Sequence, residues 1–242
     1  MKILTFDIET APNTSYTWGK WEQNVIAFKQ EGYMLSFSYK WLHEKTAHVV
    51  ALCDFPQYKK DPTNDRYLVA RLWQLLNEAD VVIAYNGKKF DIPKANARFA
   101  IHRLPRPKPY KVVDPLQHVR RMFKFESNKL DDVGEYLGCG KKIDTGGFKL
   151  WLGCMNGDMA SWRKMKQYNK QDVVLLERVY LILREWMDNH PSLYFDAKCG
   201  VCGSTKIQWR GLYRTSQSSD ARRFQCQDCG SWGIRREKHT NN

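Results

Sequence analysis

No stretch of about 18 consecutive apolar residues occurs anywhere in the 242-residue chain, so no segment reads as a transmembrane helix. The N-terminus is short of apolar length too. Met1-Lys2-Ile3-Leu4-Thr5-Phe6 meets Asp7 too soon to form the roughly 7–15-residue apolar core of a secretory signal. The expectation is a soluble, intracellular, cytoplasmic protein with no membrane association. The sequence has no low-complexity tract and no internal repeat, and 15 Gly with 9 Pro are too few for a collagen-like chain. With 43% apolar and 13% aromatic residues it is not a disordered polymer either. Its length suits one good-sized domain with its own core and a small appendage.

Acids are scarce. Against 39 Lys+Arg stand 26 Asp+Glu, a formal net charge of +13. Each cation placed near a phosphate releases a condensed counterion, so a nucleic acid is the partner this balance suggests, although plain solubility explains charge equally well. The excess is densest in residues 196–242, which carry nine Lys+Arg and four Asp+Glu. Cysteine is sparse outside this tail: Cys53, Cys139 and Cys154 stand singly, with no partnered base. Within it, Cys199, Cys202, Cys226 and Cys229 form two C-x-x-C pairs, which in an intracellular chain point to a metal rather than to disulfides.

Apolar and β-branched content predicts strands over 2–8, 33–41 and 47–54. Leu68, Leu72, Leu75 and Leu76 form one stripe of a helix over 65–77, and the wholly apolar run 81–85 suits a strand buried on both faces. Further helices are predicted from Asp91, over about 115–123 and 129–137, and over 158–188, ending before Pro191. The expected architecture is α/β, a mixed sheet flanked by helices, over residues 1–190, followed by a small separate domain over 197–242.

Three segments concentrate acids. In a strand, Asp7 and Glu9 share one face while Phe6 and Ile8 share the other, and two adjacent acids repel unless a cation lies between them. The loop Tyr85-Asn86-Gly87-Lys88-Lys89-Phe90-Asp91 leaves the buried strand at its carboxyl end, where ligands gather in open α/β sheets. Asp91 there reads equally as a ligand and as the cap of the helix that Pro93 enters. On the long helix, Tyr168 and Asp172 share the stripe that continues through Leu176, Val179 and Leu183. An aspartate on a core-facing stripe is costly unless it is paired or binds a metal. Clustered carboxylates suit Mg²⁺ or Mn²⁺, and two such ions about 3.5–4 Å apart activate a water and stabilise the leaving oxygen of a phosphodiester. Asp114, directly before Pro115, reads as a helix cap.

At these residues the sequence resembles the DEDD family of 3′–5′ exonucleases, which have a ribonuclease H-like fold. Asp7-x-Glu9, Asn86-x-x-x-Phe90-Asp91 and Tyr168-x-x-x-Asp172 follow the order of that family's three motifs. The second motif and Leu130-Asp131-Asp132-Val133…Leu137-Gly138 look most like the exonuclease portion of family B DNA polymerases and their stand-alone relatives. The resemblance implies that Asp7 bridges two catalytic Mg²⁺ or Mn²⁺ ions, that Glu9, Asp91 and Asp172 complete the ligand set, and that Tyr168 orients the attacking water. Gln167 stands where the histidine variant has its His, so the chain resembles the tyrosine type, DEDDy. Asn86 is carried only as a candidate substrate contact. The implied reaction releases nucleoside monophosphates from a 3′ end, preferably of single-stranded DNA. RNA, structure-specific endonuclease action, and a non-catalytic nucleic-acid-binding module remain as alternatives.

In the tail, Cys199-Gly-Val-Cys202-Gly203 and Cys226-Gln-Asp-Cys229-Gly230 place 23 residues between Cys202 and Cys226. Two such knuckles make a closed tetrahedral site for one structural Zn²⁺, and the pattern resembles a zinc ribbon. A tail this short builds little core, so metal binding supplies most of its folding energy. Arg210, Arg214, Arg222 and Arg223, interleaved with Trp209, Tyr213, Phe224 and Trp232, are candidate nucleic-acid contacts. Docking of a replication or repair protein on the ribbon is the alternative, as is use of those aromatics as the ribbon's own core.

Overall fold

The computed structural model describes residues 2–21, 24–42, 44–187, 190, 198–214 and 220–236. The chain divides into two compact units, Lys2–Tyr180 and Leu181–Asn242. The expected boundary over 190–197 falls, apart from His190, outside the described residues, as does the expected helix end at 188.

The first unit is built on a five-stranded mixed sheet. Strands β1 (Ile3–Thr10), β4 (Met34–Trp41) and β5 (His48–Ala51) are antiparallel neighbours, while β6 (Val81–Ile83) and β7 (Lys111–Val113) continue parallel to β1, in the order β5-β4-β1-β6-β7. A separate two-stranded ribbon, β2 (Thr14–Tyr16) with β3 (Ala27–Gln30), lies between β1 and β4 in sequence.

Alternation along β1 gives the sheet two different faces. Leu4, Phe6 and Ile8 are fully or nearly fully buried and lie beside Trp41, Tyr39 and Phe37 of β4. That apolar face is covered by α1 (Arg66–Glu78), whose Leu68, Val69, Leu72, Leu75 and Leu76 are buried and which also packs against α2 (Asp91–Ile101). Asp65, wholly buried, ties these elements together. Its carboxylate accepts from the Met34 amide at 2.8 Å and from the Arg98 guanidinium and the His102 ring.

The opposite face is polar, with Thr5 beside Lys40, Asp7 beside Ser38 and Glu9 beside Ser36. Helix α6 (Met159–Leu183) covers it with matching polar groups. The Ser36 hydroxyl donates to Asn169 Oδ1 at 3.0 Å, the Ser38 hydroxyl to the Asn169 carbonyl at 2.6 Å, and buried Lys40 pairs with buried Glu177. Five buried polar residues that face one another in this way hold α6 in one register over β4.

The mixed α/β architecture is as expected, and several local details differ. Residues 52–54 form a 3₁₀ turn rather than the end of a strand, because the Asp54 carboxylate accepts from the Ala51 amide at 2.9 Å and Pro56 follows. The ribbon β2–β3, the short β7 and a helix α5 (Lys149–Met155) were not expected. Gly153 obscures α5 in the sequence, and the structure gives its reason: a Cβ there would lie 2.1 Å from Ser161 Oγ. Helices α3 (Pro115–Met122) and α4 (Leu130–Tyr136) stand where expected, α3 capped by Asp114, whose Oδ1 accepts from the Leu116 amide at 3.2 Å. Helix α6 gives way to a 3₁₀ turn over Arg184–Trp186.

The second unit carries an antiparallel sheet of β8 (Ile207–Arg214), β9 (Asp220–Cys226) and β10 (Trp232–Arg236), in the order β10-β9-β8. Phe224 is buried at its centre, edge-on to Trp209, and the Phe224 ring fills the place where a Cβ on Gly233 would stand. Among the described residues, no helix is long and apolar enough to cross a membrane.

Candidate active site

Strand β1 and helix α6 bring three acids together. One carboxylate oxygen each from Asp7, Glu9 and Asp172 lies within 4.8 Å of the others. Asp7 and Glu9 project from the same face of β1, and Asp172 lies on the buried stripe of α6 with Leu176, Val179 and Leu183. Asn169 sits almost one turn before Asp172 and donates its Nδ2 to Asp7 Oδ2 at 2.8 Å, so the helix fixes the strand's carboxylate directly.

Asp91 stands beside this triad and outside it. It opens α2, with Phe90 in the cap position, and its side chain does not cap the helix. Instead Asp91 Oδ1 accepts from the Ile8 amide at 3.2 Å. Its charge still acts on both Asp7 and Glu9.

Close packing of acids away from water has the electrostatic result that principle demands. Burial, reinforced by Asp91, Glu9 and Asp172, pushes the Asp7 carboxyl well above the usual carboxylate range. Burial and then Asp172 push Glu9 up to about 8. Burial raises Asp91 to about 7 against the opposing Ile8 amide, and it raises Asp172 against Lys142 and the Tyr168 hydroxyl. Burial and the neighbouring acids also hold Tyr168 in its neutral, hydrogen-donating form.

Among the described residues, one positive group answers these acids. Lys142 Nζ reaches Asp172 Oδ2 at 2.6 Å and the Tyr168 hydroxyl oxygen at 3.4 Å, and it lies over the Tyr168 ring. Although burial disfavours its charge, Asp172 and Asp7 hold its pKa above the ordinary lysine value. The neighbouring Lys142 amide donates to Asp131 Oδ1, which anchors the loop to α4. The Trp151 ring of α5 packs edge-on to Tyr168, and its indole lowers the Glu9 pKa slightly against the larger effect of burial.

The donor set fits hard divalent cations. It is all oxygen, anionic and clustered, and Asp172 Oδ1 is buried with no hydrogen-bond partner among the described residues. A cleft of about 780 Å³ opens from Asp7 past Tyr85, Arg120, Lys129 and Lys142. A second groove of about 680 Å³ runs along Thr10, Asn13, Lys94, Phe148 and Trp151.

Asn86 does not join this cluster by any contact in the structure. It takes a left-handed backbone conformation (φ 62°) in the loop after β6, and its amide donates to Asp114 Oδ1 at 2.9 Å. Lys142, Asn169 and Trp151 were not assigned to the site from sequence. Asn169 had one available signal, its place three residues before Asp172 on the same helical face. Lys142 is one of an adjacent Lys141-Lys142 pair, which carries no ligand-like spacing.

A family model of the RNase H superfamily matches residues 4–184. The chain belongs to the RNase H superfamily. That span contains every acid described above, and membership supports nuclease chemistry in general. Among solved structures, the family B DNA polymerase from the hyperthermophilic archaeon Pyrobaculum calidifontis is similar, at 18% identity and a TM-score of 0.56. The likeness covers 76% of this chain and only 25% of that one, and it shows a shared fold. No curated protein matches the chain.

In the second unit, the sulfurs of Cys199, Cys202, Cys226 and Cys229 lie within 4.8 Å of one another, as the sequence spacing led us to expect. The Cys199–Cys229 and Cys202–Cys226 sulfur pairs are each 3.6 Å apart. Four thiolates about 2.3 Å from a tetrahedral Zn²⁺ would stand about 3.8 Å apart, so the site has the dimensions zinc needs. Burial opposes the Cys199 thiolate, but the Ser231 hydroxyl and backbone amides bring its pKa down to about 6. On the sheet, Arg210 donates to Gln225 Oε1 at 3.1 Å and the Arg223 guanidinium stacks 4.1 Å from the exposed Trp232 ring. Arg222 is exposed, and the side chain of Arg214 lies outside the described residues.

Proposed function

We propose that this chain is a two-metal-dependent 3′–5′ exonuclease of the tyrosine type, which hydrolyses single-stranded DNA to nucleoside monophosphates. The observation that carries the reading is the close meeting of half-buried Asp7 and Glu9 with buried Asp172, whose Oδ1 is left unpartnered. An isolated binding module gains nothing from such acids, since they repel both one another and a phosphate backbone.

Asp7, Glu9 and Asp172 would hold Mg²⁺ or Mn²⁺, with Asp91 completing the set at the strand end. When bound, these ions supply charge that activates a water and stabilises the leaving oxygen. Tyr168, kept neutral, presents a hydroxyl that can hold the attacking water in line. Asn169 fixes the orientation of Asp7, and Trp151 packs against Tyr168. Lys142 is placed to meet the developing negative charge on the substrate, and Arg120 and Lys129 line the cleft where the backbone would run. Asn86 remains a candidate contact from the neighbouring loop. Polarity from the 3′ end and preference for DNA rest on the three-motif resemblance.

The four tail cysteines would hold one structural Zn²⁺, and the ribbon they close would grip the strand through Arg210, Arg222, Arg223 and Trp232. Arg214 belongs to the same proposed set on sequence grounds alone.

An Asp172→Ala variant tests the enzymatic reading. It should lose hydrolysis of labelled single-stranded DNA by several orders of magnitude while still shifting that strand in a gel. Undiminished hydrolysis would remove the assignment.

A further inference from the structure

The ribbon β2–β3 exposes more aromatic surface than any other short segment of the first unit. Tyr16 is 57% exposed, Trp18 90%, Trp21 75% and Phe28 52%, with Val25 and Ile26 close to half exposed. Cross-strand pairing sets Tyr16 beside Ala27 and Ser15 beside Phe28, so the two aromatics point to opposite faces and neither face is covered. An isolated two-stranded ribbon is marginal in water, and one that leaves its large side chains in solvent has no core of its own.

Its base, by contrast, is rigidly set. The Ala11 amide donates to the Tyr33 carbonyl at 2.8 Å and the Gly32 amide to Asn13 Oδ1 at 2.7 Å. Gly32 is required there, since a Cβ would lie 2.6 Å from the Ala11 carbonyl oxygen. The ribbon thus springs from the end of β1, directly after Glu9. Thr10, Ala11, Pro12 and Asn13 at its base line the same groove as Phe148 and Trp151, and Thr10 directly follows Glu9 in β1.

We infer that this ribbon is a stacking platform for the single-stranded nucleic acid whose end lies at the acids. The inference rests on the nuclease reading for its direction. Base faces stack on exposed tryptophan irrespective of sequence, and nearby cations hold the backbone. The charge suits this occupant: residues 11–30 contain Lys20 and Lys29 and the single acid Glu22, and Lys20 lies over the Trp21 ring. The groove begins at Thr10, next to Glu9 in β1, and runs to the ribbon's base, and the six residues from Asn13 to Trp18 span at most about 20 Å. A strand must therefore be several nucleotides long to touch both places.

The test compares oligo-dT of twenty and of three nucleotides, in Ca²⁺ for binding and in Mg²⁺ for hydrolysis, on wild type and on Trp18→Ala/Trp21→Ala. Both tryptophans are exposed, so the variant should keep the wild-type melting temperature. The affinity advantage of the long strand should fall by about tenfold or more, because base–aromatic stacking is of that size. A Trp18→Phe/Trp21→Phe variant should restore most of it. An unchanged advantage in the alanine variant would overturn the inference, with the nuclease reading intact if both proteins cut. Loss of the long-strand advantage in proteins that cut nothing would support the platform and sink the nuclease reading instead.

Discussion

Lys142 Nζ stands 2.6 Å from Asp172 Oδ2 within a half-buried cluster of acids. The ammonium reaches this place from the loop between α4 and α5, thirty residues before its partner. It acts on Asp7, Glu9 and Asp91 as well as on Asp172. A positive charge is what four crowded carboxyl groups require, and this chain carries one of its own.

Removing that charge should therefore cost both stability and activity. Lys142→Met is expected to lower the stability of the metal-free protein by about 1–3 kcal/mol, since buried acids lose their partner. Saturating Mn²⁺ should narrow the difference. Single-turnover hydrolysis should fall by roughly 10²-fold or more, as for loss of a group that meets developing charge. Thermal melts with and without metal, alongside rates, check both parts.

Asn169→Ala isolates the link between α6 and β1. The substitution strands Asp7 Oδ2 and the buried Ser36 hydroxyl, which should cost about 1–3 kcal/mol. Because it frees the orientation of Asp7, Mn²⁺ affinity and activity should each drop roughly 10–100-fold. A stability loss with unchanged Mn²⁺ affinity would contradict the positioning role.

The metal-free protein should become less stable as pH rises. Glu9 goes from an ordinary 4.5 to about 8 on folding and Asp91 from 3.8 to about 7. A carboxyl raised in this way binds its proton more tightly in the folded state. Its contribution is complete below the unfolded value and is lost as pH climbs through the folded one. In EDTA, melting temperature should fall between about pH 4 and pH 8, and Mg²⁺ should flatten the fall. A metal-free melting temperature that climbs across this window would contradict the burial of protonated acids.

For the ribbon, metal analysis should find one zinc per chain. Cys226→Ser should abolish it and change the environment of Trp209 and Trp232, while the melting of residues 2–180 persists. A folded tail without metal would refute the zinc site.

Much of this architecture is legible in the sequence because it follows from periodicity. Alternation over 2–8 separates Phe6 and Ile8 from Asp7 and Glu9, and the leucine stripe over 65–77 marks α1 with little error. The same reasoning singles out Asp172, an acid on an otherwise apolar stripe, and the four cysteines, whose spacing alone brings them together. What was not legible depends on tertiary contact. Asp91 reads in sequence equally as a helix cap and as a ligand, and only the fold shows its carboxylate turned back to the Ile8 amide. Lys142 looks like solvated surface until the loop folds over α6, and Trp151 sits on a helix that Gly153 disguises. The strands β2, β3 and β7 are each too short to show a period.

The most direct test is a time course on 5′-labelled single-stranded DNA with Mg²⁺ or Mn²⁺, repeated with excess EDTA. The account requires a ladder that shortens progressively from the 3′ end and disappears on chelation. A strand that stays intact in every metal while still bound, or one cut internally without a ladder, would contradict it.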